Sequence, residues 1–214
     1  MAKPISGLYA ITPEMRDTEK LLRDVDAALR GGASVLQYRA KLLEPALKIA
    51  QAKALASLCK KYDVPLIIND DVALAASMAA SGVHIGSQDM PCHEARQSLL
   101  PGMLLGVSCY DQLDLAIAAQ NDSADYIAFG SFFPSSIKPN AVRPSLDFLR
   151  AARQKIHIPI VAIGGITLAN ASSLIEAGAD AVAVISALFD APNIEATARS
   201  FSELFLHRKQ HAHT

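Results

Sequence analysis

The chain has 214 residues, 51% of them hydrophobic, and its 20 Lys and Arg against 21 Asp and Glu leave a formal net charge of -1. Disordered chains combine low hydrophobicity with high net charge, and nucleic-acid binders carry a basic surplus, so both classes are excluded. The length suits one large domain, because α/β barrels commonly fill about 200–250 residues as single units. Three cysteines, Cys59, Cys92 and Cys109, form no CxxC pair, a poor disulfide framework and a poor zinc site that point to a reducing compartment. Residues 1–7 lack the apolar core of a signal peptide, and no uncharged apolar run approaches the ~18 residues of a membrane span. The expectation is a cytoplasmic protein with no membrane partner and no nucleic-acid partner.

Short apolar runs rich in β-branched or aromatic residues recur at 8–11, 35–38, 66–68, 83–85, 104–107, 126–129, 160–163 and 181–185. Between them lie Ala-, Leu- and Lys-rich stretches with helical periodicity, such as 18–30, 44–62 and 145–155. Gly31-Gly32, Ser81-Gly82, Pro101-Gly102 and Gly178 stand where helices should stop before the next strand. Near-continuous apolar strands imply burial on both faces, the condition of a parallel sheet covered by helices. Eight such units leave a closed barrel or an open doubly wound sheet, and the open sheet favours a GxGxxG turn after the first strand. Residues 8–13 read LYAITP instead, so the expected fold is α/β, a single-domain (β/α)8 TIM barrel over residues 1–214. Residues 207–214, HRKQHAHT, read as a disordered, solvated tail, and its three histidines are given no role.

The active site of such a barrel lies at the C-terminal ends of the strands, so the residues just after each run carry the functional information. Gln37, Arg39 and Lys41 alternate with Tyr38 and Ala40, which puts two cations and an amide on one side of an extended segment. With Lys138 from a separate loop they suit a polyanionic substrate. Asp70 and Asp89 follow neighbouring strands, ~4.8 Å apart in a parallel sheet, and could hold Mg²⁺, which takes one or two carboxylates plus water and phosphate oxygens. The competing use is helix capping: Asp70 or Asp71 before Val72, and Asp89 before the helix after Pro91. Gly164-Gly165 and Ile185-Ser186 occupy the loops where many barrels bind phosphate through backbone N–H groups. His84, inside the fourth run, reads as a packed histidine bonded to a neighbour, and Cys109 beside Ser108 is a candidate nucleophile for which no sequence signal identifies an activating base.

In order along the chain, QYRAK (37–41), IIND (67–70), GVHIGSQDMP (82–91), GVS ending at Ser108, DYIAFGSFFPSSIKP (125–139) and AIGGI (162–166) together resemble the thiamine-phosphate synthase family of (β/α)8 barrels. The resemblance spans nearly the whole chain. It implies an Mg²⁺-dependent transferase that condenses a hydroxymethylpyrimidine diphosphate with a thiazole monophosphate, giving thiamine phosphate and diphosphate. By family motif, Gln37, Tyr38, Arg39, Ala40, Lys41, Asn69, Ser108 and Lys138 would hold the pyrimidine diphosphate, with Arg39, Lys41, Ser108 and Lys138 acting in catalysis. Asp70 and Asp89 would bind Mg²⁺. Ser135, Ser136, Ile137, Gly165, Ile185 and Ser186 would hold the thiazole phosphate. The resemblance also implies a pyrimidine carbocation captured by the thiazole nitrogen, which needs no protein nucleophile.

The sequence departs from the family pattern at Ile137, often a Thr, and at Ser87, often a Gln. One absent neutral hydrogen bond is worth roughly 0.5–1.5 kcal/mol, so Ile137→Thr is expected to lower the Michaelis constant for the thiazole phosphate about three- to tenfold. That for the pyrimidine diphosphate should stay unchanged in steady-state assays with each substrate varied in turn. Arg153 serves in this reading as an exposed control for Arg39. A related thiazole tautomerase should not need the acidic pair and the full cation set, and a non-catalytic phosphate-ligand binding barrel is the alternative of a different class. The sequence leaves homo-oligomer formation open.

Overall fold

The period of two inside each apolar run becomes two packed layers in the computed structural model, which describes residues 5–86, 89–134 and 143–211, with side chains described as far as 206. The strands are β1 (Gly7–Ile11), β2 (Val35–Tyr38), β3 (Leu66–Asn69), β4 (Gly82–Ile85), β5 (Leu104–Tyr110), β6 (Tyr126–Gly130), β7 (Ile160–Ile163) and β8 (Ala181–Val184). They pair in parallel, each with the next, and β8 closes on β1. The expected (β/α)8 barrel is the observed fold. The helices are α1 (Thr18–Arg30), α2 (Pro45–Tyr62), α3 (Val72–Ser77), α4 (Cys92–Ser98), α5 (Leu113–Asn121), α6 (Leu146–Arg153), α7 (Leu168–Glu176), α8 (Ser186–Phe189) and α9 (Ile194–His211). The backbone of α9 thus continues into the stretch read as a disordered tail, since nothing before His211 breaks the helix; residues 212–214 lie outside the described residues. No described helix is long and apolar enough to cross a membrane.

Alternation sorts each strand. Leu8 and Ala10 of β1 join the large apolar layer between barrel and helices, whereas Tyr9 and Ile11 point inward to a smaller cluster with Val35, Ile67, Leu104 and Tyr126. Local signals fix the helices around this core. Asp17 caps α1 by accepting from the Lys20 N–H, Ser145 caps α6, and Thr167 with Asn170 forms a capping box at α7, each contact satisfying backbone donors the helix cannot.

At the N-terminal end of the barrel, the residue just before every even-numbered strand ties itself to the start of the strand before it. Ser34 donates to the Leu8 carbonyl at 3.0 Å, and Ser81 accepts from the Leu66 N–H at 3.1 Å. Asp125 accepts from the Leu105 N–H at 2.7 Å and pairs with Arg96, while Asp180 accepts from the Ile160 N–H at 2.8 Å and pairs with Arg153. Arg153 also donates to the carbonyls of Ile156 and Ile158. It is therefore a half-buried structural residue, not the exposed control its place on an Arg-rich helix suggested.

β5 runs three residues past its apolar core because of a bulge. Ser108 pairs with Ala128 and Tyr110 with Phe129, leaving Cys109 as the extra residue. Tyr110 there adopts φ +55°, a backbone region costly for an aromatic side chain, and bulges of this kind re-aim side chains at functional rims.

Candidate active site

The C-terminal mouth of the barrel opens into a cavity of about 510 Å³, within the usual range for small-molecule sites. Gln37, Arg39, Lys41, Asn69, Asp70, Asp89, Ser108, Gly165, Ile185 and Ser186 all line it. Tyr38 and Ala40 do not. Both are buried in the layer between barrel and helices, and the Tyr38 hydroxyl donates to Gln51 of α2 at 2.8 Å. The alternation that sends the Gln37 and Arg39 side chains inward sends these two side chains outward, so only their backbone is placed to face a ligand. Ser135, Ser136, Ile137 and Lys138 lie outside the described residues, as does Ser87.

The loop after β2 is set by residues following β1. Thr12 accepts from the Arg39 N–H at 3.0 Å, and the Glu14 carboxylate accepts from the N–H groups of Lys41 and Leu42, each at 2.9 Å. Lys41 then reaches Asp70 at 2.7 Å, while among the described residues no carboxylate closes on Arg39, whose planar donor fork is free to grip an anion.

Of the two adjacent aspartates, Asp71 takes the capping role and Asp70 faces the cavity. Asp71 caps α3 by accepting from the Leu74 N–H at 2.9 Å and pairs with Lys48 at 2.7 Å. Burial alone would raise its carboxyl, but Lys48 and the Leu74 N–H hold it below its usual range. Asp70 is thereby released into a left-handed backbone, φ +63°, with its N–H on the His84 carbonyl at 2.8 Å. Asp89 does not cap α4, whose N-cap is Pro91. It accepts from the Gly86 N–H at 2.7 Å and meets the carboxyl of Asp70. Burial first, and then the neighbouring Asp70 charge, push the Asp89 carboxyl above its usual range. Two hard oxygen donors facing one cavity fit Mg²⁺, which fills its other positions with water and phosphate oxygens; no group of three or more His, Cys, Asp or Glu gathers among the described residues.

Across the mouth, Gly164 and Gly165 have φ +102° and +62°. A Cβ on Gly165 would stand 2.3 Å from the Pro134 carbonyl oxygen, so only glycine lets this loop pass beside the one after β6. Beyond it, Ser186 opens the short helix α8.

The cavity floor holds residues that reading the strand ends missed. Gln37 donates to the Tyr9 hydroxyl at 2.9 Å, Tyr9 meets the Tyr126 hydroxyl at 2.7 Å, Tyr126 meets His84 Nδ1 at 3.1 Å, and His84 Nε2 meets Ser108 Oγ at 2.9 Å. His84 is bonded to neighbours as expected, and burial pulls its pKa down to about 4, which keeps the ring neutral. Tyr9 and Tyr126 are raised above the usual phenol range by burial, so both remain protonated. Cys109 is sealed from the cavity and its thiol is pushed up to about 12 by burial, which removes it as a nucleophile.

A closed parallel barrel whose mouth joins Arg39 and Lys41, a carboxylate pair and a glycine-built loop defines a (β/α)8 protein made to hold phosphorylated ligands. The chain belongs to the thiamine monophosphate synthase family, whose model matches residues 8–188. It is 53% identical to the thiamine-phosphate synthase of Thiobacillus denitrificans over 93% of this chain and 94% of that one. With the thiamine-phosphate synthase of Methylobacillus flagellatus it shares 52% identity, over 94% of this chain and 96% of the relative. The solved structure of thiamine phosphate pyrophosphorylase from Pyrococcus furiosus superposes with a TM-score of 0.84 at 32% identity, covering 94% of this chain and 96% of that one.

Proposed function

We propose that this barrel carries out its family's transferase reaction as an Mg²⁺-dependent condensation of a pyrimidinylmethyl diphosphate with a thiazole phosphate, yielding thiamine phosphate and diphosphate. The observation that carries the reading is the meeting in one cavity of Arg39 and Lys41, the Asp70–Asp89 pair, and the Gly164–Gly165 and Ser186 backbone. Two anions of different size then have separate seats, the diphosphate by the cations and the monophosphate by the glycine loop.

The carbon–oxygen bond to the diphosphate breaks with its electron pair leaving on oxygen, and the thiazole nitrogen supplies the pair that forms the new carbon–nitrogen bond. Arg39 and Lys41 stabilise the charge that develops on the departing diphosphate, and Lys138 is proposed to add a third cation. Asp70 and Asp89 would hold Mg²⁺, which when bound supplies further charge neutralisation on diphosphate oxygens. Ser108 and Gln37 orient the pyrimidine diphosphate, and the walls contributed by Ile11, Val161 and Ile163 exclude water that would otherwise capture the cation. No residue is needed as nucleophile, in keeping with the sealed Cys109. The three free cysteines accord with a cytoplasmic setting.

Diphosphate release measured with both substrates and Mg²⁺ tests the reading. Release that needs both substrates supports it; proton exchange on the thiazole without release would favour a tautomerase, and ligand binding without turnover a binding protein. Within the site, Arg39→Lys keeps the charge but loses the planar fork, and is expected to raise the Michaelis constant for the pyrimidine diphosphate by about tenfold or more. Arg23→Lys, on the exposed face of α1, should change it less than twofold; equal losses at both positions would show a general field and not a site.

A further inference from the structure

The bonds on the cavity floor have a direction that counting donors decides. The Gln37 amide nitrogen donates to Tyr9 at 2.9 Å, so the hydrogen of Tyr9 is directed to its other partner, the Tyr126 oxygen 2.7 Å away. Tyr126 in turn finds an acceptor in His84 Nδ1 at 3.1 Å. A neutral imidazole that accepts at Nδ1 carries its proton on Nε2, and Nε2 faces Ser108 Oγ at 2.9 Å. Ser108 therefore accepts from the protein, and its own hydrogen is left for the cavity it lines. With the chain reversed, His84 Nε2 would take the Ser108 hydrogen and only oxygen lone pairs would face an anionic substrate.

We infer that Gln37, Tyr9, Tyr126 and His84 form a one-way hydrogen-bond chain that fixes the His84 tautomer and thereby holds Ser108 as a hydrogen-bond donor to the bound pyrimidine diphosphate. This rests on the proposed reaction for the identity of the ligand. Tyr9, Tyr126 and His84 are positioning residues: Tyr9 touches neither His84 nor Ser108 in the chain and acts on Ser108 across two intervening groups. The fold is built around the arrangement. All five residues occupy inward positions of β1, β2, β4, β5 and β6, the Tyr126 ring stacks on His84 with centroids 5.5 Å apart, and β5 carries Gly106 where any Cβ would meet Tyr126 Cζ at 2.0 Å. A polar network in a low-dielectric interior has to be satisfied throughout, which gives one polarity an advantage over its reverse.

Two measurements test the chain. Heteronuclear NMR on protein carrying nitrogen-labelled histidine, with the His84 signals assigned by their loss in His84→Asn, should show a protonated Nε2 and a bare Nδ1 in the native protein. In Tyr9→Phe the ring should become a mixture of tautomers while the melting curve remains cooperative. Kinetically, Tyr9→Phe is expected to lower kcat/KM about tenfold, the scale of one hydrogen bond to a charged group, and to lower it less than about twofold when Ser108 is already Ala. A purely structural tyrosine would give losses that multiply. A proton on Nδ1 in the native protein, or multiplying losses, would overturn the inference. A protein with Nε2 protonated that releases no diphosphate would instead overturn the proposed reaction and leave the polarity of the chain standing.

Discussion

Asp70→Asn and Asp89→Asn are each expected to reduce diphosphate release by about a hundredfold or more, the scale seen when a charge-stabilising group is removed from a reacting centre. The two carboxyls face one another, and burial, together with the neighbouring Asp70, raises the Asp89 carboxyl. A raised carboxyl favours the fold when protonated. The stability it confers is fully present below the ordinary carboxylate range and is lost as pH rises through its raised value. Metal-free protein should therefore lose some stability across that window. Mg²⁺, binding the folded state alone, should restore it above the window and raise the melting temperature by a few degrees. Neither Asn variant should show the Mg²⁺ effect. Calorimetry with and without chelator reads the shift, and equal turnover in chelator and in Mg²⁺ would overturn the metal assignment.

Gly106→Ala is expected to destabilise the barrel and disturb its polar floor together. Its Cβ would lie 2.0 Å from Tyr126 Cζ and 2.3 Å from the hydroxyl oxygen, and Tyr126 is fully buried between Tyr9 and His84 with nowhere to retreat. Overpacking of this kind costs about 1–3 kcal/mol, and in a chain of this size that is roughly 2–12 °C in melting temperature. Displacing the ring also separates the tyrosine hydroxyl from His84, so activity should fall even at temperatures where the variant stays folded. Full activity with an unchanged melting point would mean that the ring is not held where the structure puts it.

The fold was readable because apolar runs and helix stops survive in the primary pattern: all eight runs became strands, and the stretch 18–30 became α1 without adjustment. Arg39, Lys41, Asp70 and Asp89 could be placed at the cavity from the sequence because they follow strand ends, where barrels build their sites, although Asp71 in the same run caps α3 instead. Tyr38 and Ala40 were assigned to substrate through motif membership, and their alternation with Gln37 and Arg39 places their side chains in the outer layer. The floor was hidden for the opposite reason. Tyr9, His84 and Tyr126 sit inside apolar runs, where a lone aromatic or histidine reads as core; only the inward phase of all the strands taken together brings their polar atoms into line. Glu14 and Thr12, which hold the loop bearing Arg39 and Lys41, act through backbone N–H groups and leave no pattern in side-chain chemistry.

The ties below the even-numbered strands bear on the order in which such a ring can assemble. Each links residues close in sequence, 26 apart for Ser34, 15 for Ser81 and 20 for both Asp125 and Asp180, whereas the β1–β8 seam joins strands from opposite ends of the chain. Closing a short loop costs less chain entropy than closing a long one, with the cost rising as the logarithm of its length. Four two-strand clasps can therefore form early and separately, each already holding its own strand register, and the β1–β8 seam is left as the last step. The tyrosine, histidine and serine on the floor come from β1, β4, β5 and β6, so the polar chain that faces substrate spans three of the clasps and becomes continuous only when they have joined.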